Sequence, residues 1–197
     1  MITVFSRTKQ GARRVSPPVY KVMLAAHIIA SGAWLGVVLA KVILELAAIT
    51  AAAPEIAGAL YLAIGAVNTA FPPLAIATMV SGVILSLGTK WGLLQHYWVA
   101  TKLVLTVGVI ATAVQLGSRI TRPAHATLAR EAVGDGAILE FLTAPETLLL
   151  SLSLAHVLML GLATVVSIYK PWGRTGIGRW MAWLTRRGAA RPSPAGA

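Results

Sequence analysis

Apolar residues occupy this chain in four long blocks, at about 20–49, 56–87, 96–117 and 147–169, and polar residues gather between and beyond them. Each block exceeds the roughly 20 residues that cross a hydrocarbon core of about 30 Å at 1.5 Å per residue. Lipid offers no partner to backbone N–H and C=O groups, so blocks this long and this apolar must be helices. The pattern predicts an all-α membrane protein, a four-transmembrane-helix bundle over 19–170. A basic N-terminal segment, 1–18, precedes it, and a basic tail, 171–197, follows it. Inside the second block stand Pro72 and Pro73, which together delete two backbone donors, so the second helix is expected to be kinked there. The first block is about twice as long as the 7–15-residue core of a signal peptide, which favours a retained first helix.

Polar residues inside the blocks fall on stripes. Advancing about 100° per residue from His27 brings Met23, Ser31, Trp34, Val38, Lys41 and Glu45 to within about 40° of it. Gly32 and Gly36 project to the other side, a small-xxx-small pair that lets another helix approach closely, in the bundle, in a second copy or in a partner subunit. Lys41 and Glu45 stand four apart, and are expected to neutralise each other while reaching outward. The fourth helix carries Ser153, His156, Met159, Ser167 and Lys170 on one broad face. The third aligns Gln95, Trp98, Lys102 and Thr106, with Lys102 about 9 Å deeper than His96.

Composition then narrows the classes. A chain that is 57% hydrophobic and 12% charged lacks the polar surface of a soluble domain of this size. It has no cysteine, which excludes disulfides, thiolate metal sites and iron–sulfur clusters. No G-x-x-x-x-G-K, H-E-x-x-H or G-x-S-x-G run is present, so neither an ATPase nor a hydrolase is expected.

The net charge of +11 matters less than its distribution. Thirteen of the seventeen Lys and Arg residues fall on the side of the two termini, against Lys41, Arg119, Arg122 and Arg130 on the other. All six acids, Glu45, Glu55, Glu131, Asp135, Glu140 and Glu146, lie on that other side. The positive-inside rule therefore predicts cytoplasmic termini and a cytoplasmic Lys90. Tyr20, Trp91, Tyr97, Trp98, Tyr169 and Trp172 mark the same boundary as an aromatic belt. The basic residues are split among a tail, a loop and another tail without a nucleic-acid motif, so anionic lipid headgroups are the expected partner and nucleic acid is not. The tail is expected to form an interfacial helix over 179–187 with Trp180, Trp183 and Leu184. Short helices are expected near 127–132 and 137–142 in the long loop, which also holds His125.

Three chemistries remain open for the intramembrane polar groups. His27 and His156, each with a methionine about one turn away, invite one buried site between the first and fourth helices. As a pair of imidazoles they would ligate haem b, with Trp34 on the same stripe and Lys102 receiving a propionate. With Met23 and Met159 they would form a soft site suited to copper. Otherwise the methionines fill packing gaps, each histidine hydrogen-bonds to a serine, and the chain is a non-catalytic membrane subunit. The expected depths differ, since His27 lies about 7 residues and His156 about 13 from the cytoplasmic end of its helix, an offset of roughly 9 Å.

The run HIIASGAWLG resembles the first-helix motif of copper-resistance protein D and allied bacterial membrane proteins. SGVILSLGTKWGLLQHYWVATKLVLT and SIYKPWGRTGIG resemble a related bacterial family of uncharacterised integral membrane proteins. The resemblance implies a multi-pass protein of the bacterial inner membrane and, through its copper branch, metal traffic. It implicates His27, Trp34 and Gly36, with Lys102 and Lys170 in the other matching segments. This chain departs from the copper branch in having four helices and no Cys-, Met- or His-rich delivery segment.

Overall fold

The computed structural model of the protein describes residues 5–7, 13–89, 92–117 and 145–189. Two three-residue strands, β1 (Phe5–Arg7) and β2 (Arg13–Val15), pair antiparallel ahead of the helices. Among the described residues six α-helices follow: α1 (Pro17–Ile49), α2 (Pro54–Asn68), α3 (Phe71–Leu87), α4 (Tyr97–Thr112), α5 (Pro145–Tyr169) and α6 (Gly176–Ala189). Four candidate spans result, Pro17–Ile49, Pro54–Leu87, Tyr97–Gln115 and Glu146–Tyr169, each long and apolar enough to cross a membrane. The expected four-span bundle is what forms. The expected helices near 127–132 and 137–142, His125 and Lys90 lie outside the described residues.

Prolines set the helix starts. Pro17 opens α1 after an extended Ser16, and Pro54 opens α2 after an extended Ala53, positions where a missing N–H costs nothing. Pro72 and Pro73 leave the Asn68 and Thr69 carbonyls without their i+4 donors. The chain responds by tightening the last turn of α2, where Thr69 and Ala70 donate three residues back, to Ala66 and Val67. The second span is bent by 31° at this point, as expected.

α1 is the hub, packing against α2, α3 and α5, and α5 in turn carries α4. Lipid is as apolar as a leucine core, so close packing and hydrogen bonds must hold such helices together. Ile28, Ile29, Ile43, Leu62, Ile76, Leu158 and Ile168 accordingly point outward, while Trp34, Glu45, Ser153 and His156 are buried. The central core joins Trp34 and Val38 of α1, Phe71 and Ala75 of α3, Val109 of α4 and Leu160 of α5. A second cluster, Ala48, Tyr61, Ile64 and Leu149, lies at the acidic end, and Trp98, Val99 and Val166 form a third at the basic end.

At the basic end the α3–α4 connection is tied to the segment entering α6. Thr175 donates its N–H to Gln95 (2.9 Å) and its hydroxyl to the Leu94 carbonyl (2.7 Å), and Tyr97 N–H reaches the Gly173 carbonyl (3.3 Å). α6 begins slightly before the interfacial helix expected from sequence, and its Ile177, Trp180, Met181 and Leu184, which share one face, are all exposed. Gly32 and Gly36 meet nothing: a Cβ at either would have open space around it, so the close approach expected there is not made within the bundle.

Candidate functional site

The polar interior is divided into two layers, with the aromatic and aliphatic core between them. In the layer toward the acidic end, Glu45 is 1% exposed and accepts a 2.9 Å hydrogen bond from Ser153 of α5. Its second oxygen has no hydrogen-bond partner among the described residues. Lys41, one turn back along α1, is half-buried and within electrostatic reach of both Glu45 and His156. The expected pair reaching outward is thus corrected. Glu45 turns inward because the Ser153 hydroxyl, on the facing helix, supplies a donor that the outer face lacks.

His156, 3% exposed, hydrogen-bonds through Nε2 to Thr112 Oγ1 at 2.8 Å. Thr112 Oγ1 also bonds to the Gly108 carbonyl (2.7 Å), which holds the hydroxyl against α4, and the tautomer of His156 sets which of Nε2 and Oγ1 donates. The α4 backbone then widens into a π-helical turn over Ala113–Gly117, a local distortion often found beside functional groups. The His156 ring lies 6.2 Å from Phe71, and Phe71 meets Trp34 edge to face at 5.4 Å and 83°. The Trp34 indole N–H, fully buried, has no acceptor among the described residues.

The layer toward the basic end is built around α3 and α4. His27 Nδ1 is 2.9 Å from Ser81 Oγ, and Ser81 passes its own hydrogen to the Ala77 carbonyl at 2.6 Å. His27 Nδ1 is therefore the donor, and its ring lies against Gly82, where an added Cβ would come within 3.1 Å of Cε1. Lys102 is within electrostatic reach of His27 and hydrogen-bonds to Ser167 at 3.1 Å. Met159 packs its methyl on Gly108 of α4, and Met23 is half-buried on α1.

These contacts fix the relative heights of the two histidines. Along α3, His27 stands level with Ser81 and His156 with Phe71, ten residues or about 15 Å apart. Along α4, His27 is near Lys102 and His156 near Thr112, again about 15 Å. Iron or copper bonds to nitrogen are near 2 Å, so one metal draws both rings to itself. The structure does not bring His27 and His156 together, and the expected shared site is corrected on that ground. His27 is held by α3 and His156 by α4, with Trp34 and Phe71 in the gap. A haem ligated by both does not fit this arrangement, and neither does copper held by both histidines and both methionines. Among the described residues no group of three or more His, Cys, Asp or Glu side chains converges.

Ser153, Thr112 and Ser81, which hold the three ionisable groups in place, were not all visible beforehand. Ser153 already stood on the polar face of the fourth helix. Thr112 and Ser81 had no sequence signal, because single hydroxyls in apolar helices ordinarily bond back to their own backbone, as these also do.

No protein-family model, no curated protein and no solved structure matches this chain.

Proposed function

We propose that the protein handles a small ligand within the bacterial inner membrane and that Glu45, with Lys41 and His156, is the proton-exchanging site that drives it. The observation that carries this reading is the burial of Glu45 beside Ser153 within a membrane-spanning helix. An ionisable side chain at that depth is costly, and such groups characteristically mark proton relays and substrate pathways. Lys41 and His156 add two more ionisable groups from two helices. The unpartnered Glu45 oxygen and Trp34 N–H are an acceptor and a donor on one stripe of α1. Between this layer and the His27 layer, the Trp34–Phe71 contact forms an apolar plug, which suits a pathway closed at mid-membrane. Haem and copper coordinated jointly by the two histidines have no part in this reading.

The test is proton flux into vesicles loaded with a pH-sensitive dye, driven by a potassium diffusion potential. Vesicles carrying the protein are expected to acidify faster than empty ones, and Glu45→Gln or His156→Ala to remove most of the difference. Flux equal to that of empty vesicles, or unchanged by both substitutions, overturns the proposal.

The same reading places the basic end, with both termini, in the cytoplasm. Single cysteines at Thr89 and Asp135 are expected to give labelling of intact cells by an impermeant thiol reagent at 135 alone. Labelling at 89 alone inverts the orientation.

A further inference from the structure

We propose that the basic end of the bundle contains an anion site, formed by Lys102 and Ser167 with Lys170 and Trp98 at its mouth, that takes a phosphate group. Charge balance is the starting point. Among the described residues the acids are Glu45, Glu55 and Glu146, all toward the acidic end, and none of them reaches Lys102. Lys102 nevertheless sits five residues inside α4, about 7.5 Å below its start, on an inward face. Among the described residues its hydrogen-bond partner is the neutral hydroxyl of Ser167 at 3.1 Å.

An ammonium has three N–H donors and a serine hydroxyl has one. With one N–H given to Ser167, the ammonium keeps two further donors beside the serine hydroxyl, where α4 packs on α5. Three donors and a full positive charge match the oxygen face of a phosphate. Three residues beyond Ser167, just past the end of α5, Lys170 places its Nζ 5.9 Å from the Trp98 ring, one turn above Lys102 on α4. Lys170 adopts φ 47°, a left-handed backbone uncommon for a non-glycine residue, where the chain leaves α5, and its exposed side chain stands at the rim. His27, within electrostatic reach of Lys102, is the remaining ionisable group on the inner side.

Helix dipoles do not decide the matter. The positive N-terminus of α4 and the negative C-terminus of α5 lie side by side, each equivalent to about half a charge, so they largely cancel. The Lys102 charge remains. The ligand is either the phosphate of a lipid headgroup entering from the membrane surface or inorganic phosphate from the aqueous side.

The experiment uses the full chain in a phosphate-free maltoside detergent, with thermal unfolding followed during titration of phosphatidylglycerol or of inorganic phosphate. Saturable stabilisation by the lipid alone identifies a headgroup site, and by inorganic phosphate a solute site. In either case Lys102→Gln is expected to weaken binding at least tenfold, Lys102→Arg to retain it, and Lys21→Gln, at an exposed position of the same end, to leave it unchanged. Should Lys102→Gln fail to fold, Ser167→Ala is expected to weaken binding several-fold. Absence of stabilisation by both ligands, or equal binding by wild type and the folded Lys102 or Ser167 variants, overturns the proposal.

Discussion

Replacing Trp34 with Phe sets two opposed effects against each other at one position. The indole is fully buried in the central core, its ring edge to face with Phe71 at 5.4 Å, and its N–H has no acceptor among the described residues. Trimming it to a phenyl ring removes on the order of 40 Å³, which at about 24 cal/mol per Å³ of residual cavity destabilises by about 1 kcal/mol. The same change deletes an unpaired buried donor, whose desolvation costs about 1–3 kcal/mol. Surrounding lipid is as apolar as the core, so no separate transfer effect tips the balance. The donor effect at least matches the cavity, and Trp34→Phe is expected to lie between neutral and about 2 kcal/mol more stable. Trp34→Ala opens roughly 140 Å³, about 3 kcal/mol, and also loses an aromatic pair worth about 0.5–1.5 kcal/mol. It is expected to remain destabilised even after relief of the donor. Unfolding in mixed micelles titrated with dodecyl sulfate, followed by far-UV circular dichroism, measures both without depending on which of the six tryptophans reports. A Phe variant more than about 1.5 kcal/mol less stable than wild type refutes the reasoning, because the N–H must then be bonded.

Three further outcomes are expected. Gly32→Leu with Gly36→Leu fits the open space around both positions and leaves the folded monomer within about 0.5 kcal/mol of wild type, so any drop in particle size on size-exclusion chromatography locates a helix partner there. Loss of the fold itself contradicts their placement on the outer face. Gly178→Ala drives a methyl into the Gln95 carbonyl and is expected to free α6 from the α3–α4 connection, read as faster tryptic cleavage after Arg174 and Arg179; unchanged cleavage rates count against the docking. Ser153→Ala removes the one hydrogen bond to Glu45 and is expected to destabilise by about 0.6–1.7 kcal/mol, the range of such bonds in membrane bundles, by the same micelle titration. A smaller loss means that Glu45 is satisfied elsewhere.

The fold was legible because the bilayer leaves a chain so few options: length and apolarity alone determine the four spans, and the double proline locates the bend. The site was legible only in part. The α1 stripe correctly gathered Trp34, Val38, Lys41 and Glu45 on the bundle-facing side, since angular position follows from the 3.6-residue repeat. Height along the axis does not follow from that repeat. Counting residues from the helix ends gave His27 and His156 an offset of roughly 9 Å, and the contacts make it about 15 Å. The direction of Glu45 was hidden for a different reason. Lys41 is its neighbour in sequence, whereas Ser153 becomes its neighbour only when α1 and α5 pack.

The bend and the separation of the two histidines are connected. Because α2 closes at Asn68 and α3 restarts at Phe71, the Phe71 ring enters the bundle at the first turn of a new helix, where it meets Trp34 on one side and His156 on the other. Those two contacts complete the apolar layer that divides the Glu45–His156 groups from the His27–Lys102 groups. A straight second span would carry Phe71 along the axis and rotation of α2 instead, and the plug would lose one of its two rings. The double proline therefore does more than shape packing. It sets the ring that keeps the two polar layers apart, so on the proposed pathway a ligand or proton passing between them must displace the Trp34–Phe71 contact, and the bend beside it is where that displacement is cheapest, since the helical hydrogen bonds from residues 72 and 73 are already missing.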